Sequence, residues 1–314
     1  MLTSPLVRGT LDNMGVKKVH LKFVGISQST LRSYSKRVKA FLSYLLRESS
    51  SFPSSPGVLD SILAEYINNS FQDDDPIAYS GHLISGLTKF IPRLRSCLPT
   101  SRAYFRNWQR VQTRSRAVPV AWDVLRAMAA SAFLCGQKGL GISLLLGFLL
   151  FLRTNELVSL KWSDIKVFEN SSAVIVALED TKTSQAKNAL ESLIIRDFTL
   201  ARLIQRESCF HAPDSAVCGL LPSEFRKAFA SISAWIGQPD LSPYSLRRGG
   251  ATHHWLCFNS LDSTAVRGRW KDVRTCRIYL DDARGQLARQ SLSPTTKEKV
   301  AKLKGFWNFL VTKP

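Results

Sequence analysis

The apolar positions of the first hundred residues recur at helical spacing. Leu31, Tyr34, Val38, Phe41, Leu42 and Leu45 follow the capping hydroxyls Ser27 and Ser29, and the pattern stops in the polar loop Ser49–Gly57. Two more helical segments are expected at Val58–Ser70 and Pro76–Cys97. A fourth carries Arg102, Arg106, Arg110 and Arg114 at intervals of four, with Tyr104, Phe105 and Trp108 on its other faces. Ala117–Val118–Pro119 breaks the pattern, because the residue before proline is pushed out of helical geometry. The chain is therefore expected to divide into an all-helical domain, 1–117, and a second domain, 118–314.

Beyond the break the pattern predicts helices at Ala121–Cys135 and Gln137–Leu152. Two short β-prone runs follow, Val174–Leu178 and Ser192–Arg196, joined by the polar stretch Glu179–Leu190. Further helices are expected at Thr199–Arg206, Pro222–Ile236, Tyr244–Phe258, Asp272–Asp282 and Pro294–Leu310. The fold class is thus mainly α with a small antiparallel β-hairpin in the second domain. Leu140–Leu152 is the most apolar stretch, but it is too short to span a bilayer and reads as a core helix, so no membrane partner is expected.

Charge changes the picture. The 314 residues include 43 Lys and Arg against 24 Asp and Glu, a net +19. The excess is +10 in residues 1–117 and +9 in 118–314, so it is no basic tail but a property of both halves, as for a chain that grips a polyanion from two sides. No acidic residue occurs between Asp75 and Asp123, and the Arg102–Arg114 stripe lies within that interval. Without carboxylate partners, the stripe is better explained by phosphate contact than by surface ion pairs, a solvated basic face being the other reading. The six cysteines form no CxxC pair and the N-terminus has no apolar leader core, which together point to a reducing, intracellular setting.

Three segments carry candidate chemistry. In Phe151-Leu152-Arg153-Thr154-Asn155-Glu156-Leu157 an arginine leaves the end of an apolar helix, to pair with Glu156 or to face an anion. In Pro243-Tyr244-Ser245-Leu246-Arg247-Arg248-Gly249-Gly250-Ala251-Thr252-His253, Tyr244 and Arg247 share a helix face, and the small residues allow close packing against another element. In Trp270-Lys271-Asp272-Val273-Arg274-Thr275-Cys276-Arg277-Ile278-Tyr279, nine positions separate Trp270 from Tyr279.

In order and spacing these segments resemble the tyrosine recombinase (phage-integrase) family, from about residue 20 to 290. The run Leu246–Thr252 looks like the variant found in eukaryotic mobile elements. The resemblance implies an N-terminal core-binding domain followed by a catalytic domain. It also implies site-specific cutting and rejoining of double-stranded DNA through a 3′-phosphotyrosine, by a homo-tetramer, without metal, cofactor or ATP. Residue by residue it makes Tyr279 the nucleophile, Arg153 and Arg247 the phosphate-binding arginines, and Trp270 their companion. A lysine in the hairpin becomes the general acid; Lys182 matches best and Lys187 is the reserve. Tyr244 departs from the family, which most often has His there. A phenol can donate a hydrogen bond to phosphate, but it is a poor base near neutral pH. The expected compartment is the nucleus in a eukaryote and the cytoplasm otherwise.

Three other functions remain open. A remnant of such a recombinase could bind DNA without cutting it. A type IB topoisomerase shares the phosphotyrosine chemistry. A metal-dependent nuclease needs clustered carboxylates, and Asp73–Asp75, the only run of three, lies far from the other motifs. Cys209, His211 and Cys218 lack an evident fourth zinc ligand, and adjacent His253 and His254 lack metal-site spacing. The C-terminal segment Lys297–Phe309 could dock on a neighbouring copy or pack on its own domain.

Overall fold

A computed structural model describes residues 23, 25–48, 53–112, 117–168, 172–178, 191–280 and 292–312. The chain divides into two compact units, Met1–Ser115 and Arg116–Pro314. The first contains α1 (Gln28–Glu48), α2 (Pro56–Gln72), α3 (Ala78–Phe90), a 3₁₀ turn at Pro92–Ser96, and α4 (Pro99–Val111). Its core is the inward stripe of these helices, with Phe41, Leu63, Leu83, Leu98 and Trp108 buried together. The single long helix expected over Pro76–Cys97 is broken at Ile91, the residue before Pro92, where helical geometry is disfavoured.

A buried carboxylate fixes the start of α4. Asp60 of α2 accepts the backbone N–H groups of Thr100 (2.8 Å) and Ser101 (2.9 Å) and the Ser101 hydroxyl (2.5 Å). It thereby satisfies donors that a helix N-terminus leaves open and opposes a negative charge to the helix dipole. Burial pushes the Asp60 carboxyl up, but these bonds outweigh it and hold the pKa below the ordinary 3.8. Asp60 thus sets the direction of the helix that carries Arg102, Arg106 and Arg110. Arg106 and Arg110 are exposed and Arg102 is half-buried, while Trp108 points into the core. Arg114 lies outside the described residues.

The second unit is mainly α with one small antiparallel sheet. It comprises α5 (Trp122–Leu134), α6 (Lys138–Leu149), α7 (Thr154–Ser159), β1 (Ile165–Val167), β2 (Val174–Leu178), β3 (Glu191–Ile195), α8 (Phe198–Ser208), α9 (Pro222–Ile236), α10 (Pro243–Phe258), α11 (Leu261–Arg267), α12 (Val273–Tyr279) and α13 (Pro294–Thr312). The strands run in the order β1-β2-β3, with Val167 opposite Val174 and Leu178 opposite Glu191. Val174, Val176 and Leu178 alternate inward from β2. The expected hairpin gains a third strand in β1, three residues being too few to display an alternation.

Helix α6 is the centre of this unit, with Leu140 to Phe148 buried throughout. Helix α10 lies directly on it because two glycines remove the side chains between them. A Cβ on Gly250 would overlap the Phe148 carbonyl oxygen, and one on Gly249 would overlap that of Val120. The C-terminal helix α13 packs on its own unit, burying Val300, Leu303 and Trp307 in the core shared with α5. Each such side chain contributes about 1.5–3 kcal/mol. Among the described residues no helix is long and apolar enough to cross a membrane.

Candidate active site

The close α6–α10 contact brings three chain segments to one place: the turn after α6, the first turn of α10, and the stretch from Gly268 to α12. Ser242 and Pro243 begin α10, with the Ser242 N–H donating to Ser245 Oγ (3.1 Å). Tyr244 and Arg247 then emerge on one face, Tyr244 45% exposed and Arg247 1%.

The buried Arg247 guanidinium is held by two carbonyl oxygens. Nη1 donates to Phe151 and Nη2 to Gly268 (2.9 Å). Phe151 occupies the left-handed region at φ 49°, so the chain reverses there and its carbonyl faces the arginine. Among the described residues no carboxylate forms an ion pair with Arg247. Burial first, and then the neighbouring Arg153 charge, pull its pKa down from the usual guanidinium range. Among the described residues its buried Nε–H has no hydrogen-bond partner. A buried cation with an unfilled donor is costly unless an anion arrives to meet it.

Arg153 caps α7. Its backbone N–H donates to Glu156 Oε2 (2.8 Å) and its Nη1 to Glu156 Oε1 (2.6 Å). The side chain is nonetheless 42% exposed, so it combines the two roles that the sequence leaves open, an ion pair and an accessible cation.

Two aromatic rings close the group. The Arg247 guanidinium lies 4.9 Å from the Trp270 ring centre and 5.3 Å from that of Tyr279, and the two rings are 4.5 Å apart. Trp270 also stacks on Phe151 at 6.0 Å. A Cβ on Gly268 would collide with the Trp270 ring, so glycine is what admits the indole. The Trp270 indole N–H is buried and, among the described residues, makes no aligned hydrogen bond. Asp272 caps α12 by accepting the Arg274 N–H (2.8 Å), and Tyr279 is the last residue of that helix.

Tyr244 and Tyr279 are 5.7 Å apart between ring centres, and their hydroxyls interact. The two phenols titrate in opposite directions. Burial would raise Tyr279, but the Tyr244 hydrogen bond, the Arg247 charge, the nearby indole N–H and the Arg247 hydrogen bond outweigh it, so its pKa falls below 10.0. Tyr244 is pushed up to about 12 by burial and by donating to Tyr279. Tyr279 is therefore the phenol that ionises first, with Tyr244 as its donor.

The structure thus brings Tyr244, Arg247, Trp270 and Tyr279 into contact, with Arg153 adjoining. Lys182 and Lys187 lie outside the described residues. Arg102, Arg106 and Arg110 belong to the first unit. Sequence reasoning missed Arg269. This arginine is in the left-handed conformation (φ 56°), and its Nη2 donates to Glu156 Oε2 at 2.7 Å. Burial raises the Glu156 carboxyl, but first Arg269 and then Arg153 hold it below its ordinary 4.5.

His253 and His254 serve the scaffold. His253 stacks on Trp122 at 5.5 Å, and His254 Nδ1 shares a hydrogen bond with Thr264 Oγ1 at 2.9 Å. Among the described residues no three His, Cys, Asp or Glu side chains group as metal ligands, and His211 instead stacks on Trp162 at 4.8 Å.

Neither the family models nor the curated proteins include a match to this chain. Solved structures do match. A XerH site-specific recombinase bound to palindromic difH substrate in a post-cleavage complex is 14% identical, covers 79% of this chain and 75% of its own, and gives a TM-score of 0.57. A lambda integrase (75–356) dimer bound to a COC′ core site is 16% identical over 82% of this chain and 90% of that one, TM-score 0.55. A lambda integrase tetramer bound to a Holliday junction is 16% identical over 83% and 74%, TM-score 0.55. At these identities the likeness is one of architecture, and the fold of this chain is that of the tyrosine recombinases.

Proposed function

We propose that this chain is a site-specific DNA recombinase that cuts and rejoins double-stranded DNA through a 3′-phosphotyrosine on Tyr279. The observation that carries the reading is the convergence of Tyr279, Trp270 and Arg247, with rings 4.5 Å apart and the guanidinium 5.3 Å from the phenol ring. A phosphodiester resists attack because charge accumulates on its non-bridging oxygens. Arg153 and Arg247 offset that charge with preorganised donors, and the unfilled Arg247 Nε–H supplies one more, while the Trp270 indole N–H faces the Tyr279 oxygen. Tyr279, having released its phenol proton to water, attacks phosphorus as the phenolate, the bond to the 5′-oxygen breaks, and the departing oxygen takes a proton from Lys182 or, failing that, Lys187. Bond energy is kept in the phosphotyrosine, so neither a metal ion nor ATP enters the cycle.

The depressed Tyr279 pKa supports its role as nucleophile. Tyr244, where His is usual, cannot act as a base with its phenol near 12; it serves as a hydrogen-bond donor. Arg102, Arg106 and Arg110, with Arg114, bind DNA phosphates, and the first unit is the core-binding domain. The lambda integrase tetramer on a Holliday junction supports assembly of this chain as a tetramer on DNA. The Leu246–Thr252 run supports a mobile-element origin and, in a eukaryotic host, a nuclear site of action.

Tyr244 also favours a second reading, DNA binding without cleavage, because the usual histidine base is missing. One experiment separates the two. The purified chain is incubated, with EDTA, with a pool of nicked duplexes of randomised sequence, and covalent adducts are counted on a denaturing gel. Adduct formation that Tyr279→Phe abolishes supports the recombinase. DNA retention without adduct supports the second reading. Relaxation of supercoiled plasmid without strand exchange points to a topoisomerase.

A further inference from the structure

Gly268, Arg269 and Trp270 are consecutive, and each touches a different member of the site. The Gly268 carbonyl accepts from Arg247 (2.9 Å), the Trp270 ring packs on Tyr279 (4.5 Å), and Arg269 Nη2 donates to Glu156 Oε2 (2.7 Å). Glu156 then binds the Arg153 guanidinium through its other oxygen (2.6 Å). We propose that Arg269 is a positioning residue that holds Glu156 in a one-oxygen grip on Arg153, leaving the remaining Arg153 donors free for the scissile phosphate. The proposal rests on the recombinase reading above.

Several features support this assignment. Glu156 is 9% exposed and Arg269's side chain 7%, so this ion pair is buried while Arg153 reaches solvent. A carboxylate beside a lone guanidinium frequently takes it bidentately, with both oxygens on the same fork. Here one oxygen is occupied by Arg269 and by the Arg153 backbone N–H (2.8 Å), so the fork–fork arrangement is blocked. Arg269 also adopts φ 56°, a conformation that glycine reaches without strain, and its side chain gives a reason for an arginine there. Its Nη1 meets Glu191 Oε2 at 3.4 Å. Glu191 opens β3 immediately after residues 179–190, the stretch that holds Lys182 and Lys187. Arg269 thus links the turn carrying Arg153, the tryptophan segment, and the base of the lysine-bearing connection.

Without Arg269, Glu156 can turn both oxygens on Arg153 and draw the guanidinium off the phosphate. Misplacement of a catalytic group by about 1 Å costs on the order of 100-fold. The test uses a duplex recovered as adduct from the randomised pool, synthesised with either the native phosphodiester or an uncharged methylphosphonate at the cleaved position. Arg269→Gln is expected to slow adduct formation about 10- to 100-fold on the phosphodiester. On the methylphosphonate the loss should shrink to a few-fold, since one charged oxygen no longer needs Arg153. Arg269→Lys, which keeps the charge without the fork, should fall between. Adding Arg269→Gln to Glu156→Gln should cost little more than Glu156→Gln alone.

Equal losses on the two substrates would mean that Arg269 only supports the fold, and an unchanged rate in Arg269→Gln would also overturn the assignment. If the unaltered chain yields no adduct from the pool, the recombinase reading itself fails and this proposal with it.

Discussion

Tyr244→Phe removes one oxygen from the site and leaves the ring. Its consequence follows from the opposed titration of the two phenols, in which Tyr244 donates to Tyr279 and so favours the Tyr279 phenolate. A hydrogen bond to a charged acceptor contributes about 1.5–3 kcal/mol. Tyr244 is 45% exposed, so solvent screening places this one at the low end, about 1.5 kcal/mol. That corresponds to roughly one pKa unit. The sign is upward: without its donor Tyr279 ionises at higher pH, and below its pKa the phenolate fraction falls about tenfold. The assay is the pH–rate profile of adduct formation on a duplex recovered from the randomised pool. The limb that rises with pH should move up by about one unit, with the plateau rate at high pH nearly preserved. Near-ultraviolet difference titration, with Tyr279→Phe as the blank, should show the same displacement in the phenolate signal. A limb that stays in place in Tyr244→Phe would refute the assignment of Tyr244 as the donor to Tyr279.

Three perturbations test the scaffold. Gly250→Ala places a methyl group against the Phe148 carbonyl, so α6 and α10 must separate; a loss of about 1–3 kcal/mol in urea unfolding is expected, and an unchanged midpoint would contradict the packing described. Asp60→Asn weakens the charged cap of α4 and should destabilise the first unit by about 2 kcal/mol near neutral pH. Because the folded Asp60 pKa is depressed, its contribution is present above the unfolded value of 3.8 and is lost as pH falls through the lower folded value; unfolding measured between neutral pH and pH ~3 should show the variant converging on the parent at the acid end. His254 is held near pKa 4, first by burial and then by Arg267 and His253, against 6.5 unfolded. Unfolding free energy should therefore fall as pH drops from 6.5 toward 4, and His254→Gln should flatten that slope, an unaltered slope counting against a buried neutral imidazole.

What the sequence made legible follows from local rules. Helical periodicity located α1, an unbroken apolar run located α6 and Pro243 marked the start of α10, while the adjacent Gly249 and Gly250 allowed the close packing against another element that α6 supplies. The resemblance to the tyrosine recombinases, carried by Arg153, Arg247 and the Trp270–Tyr279 interval, nominated the residues that the fold brings together. Other features depend on tertiary structure and leave no local trace. Helix α11 is seven residues, most of them polar, and β1 is three, both too short to show a period. Asp60 acts on a helix forty residues downstream. Arg269 looks like any basic residue until its left-handed backbone turns it toward Glu156, 113 positions earlier. The ion pair Arg153–Glu156 was foreseeable from its spacing, whereas the competition for Glu156 was not.

The central claim is that the Tyr279 oxygen carries the broken DNA strand. Adduct trapped from the nicked duplex pool should be digested with protease and nuclease and the modified peptide sequenced by mass spectrometry. The account predicts a nucleotide 3′-phosphate on Tyr279, and no adduct from Tyr279→Phe. A nucleotide on any other residue, or an adduct undiminished in Tyr279→Phe, would contradict it.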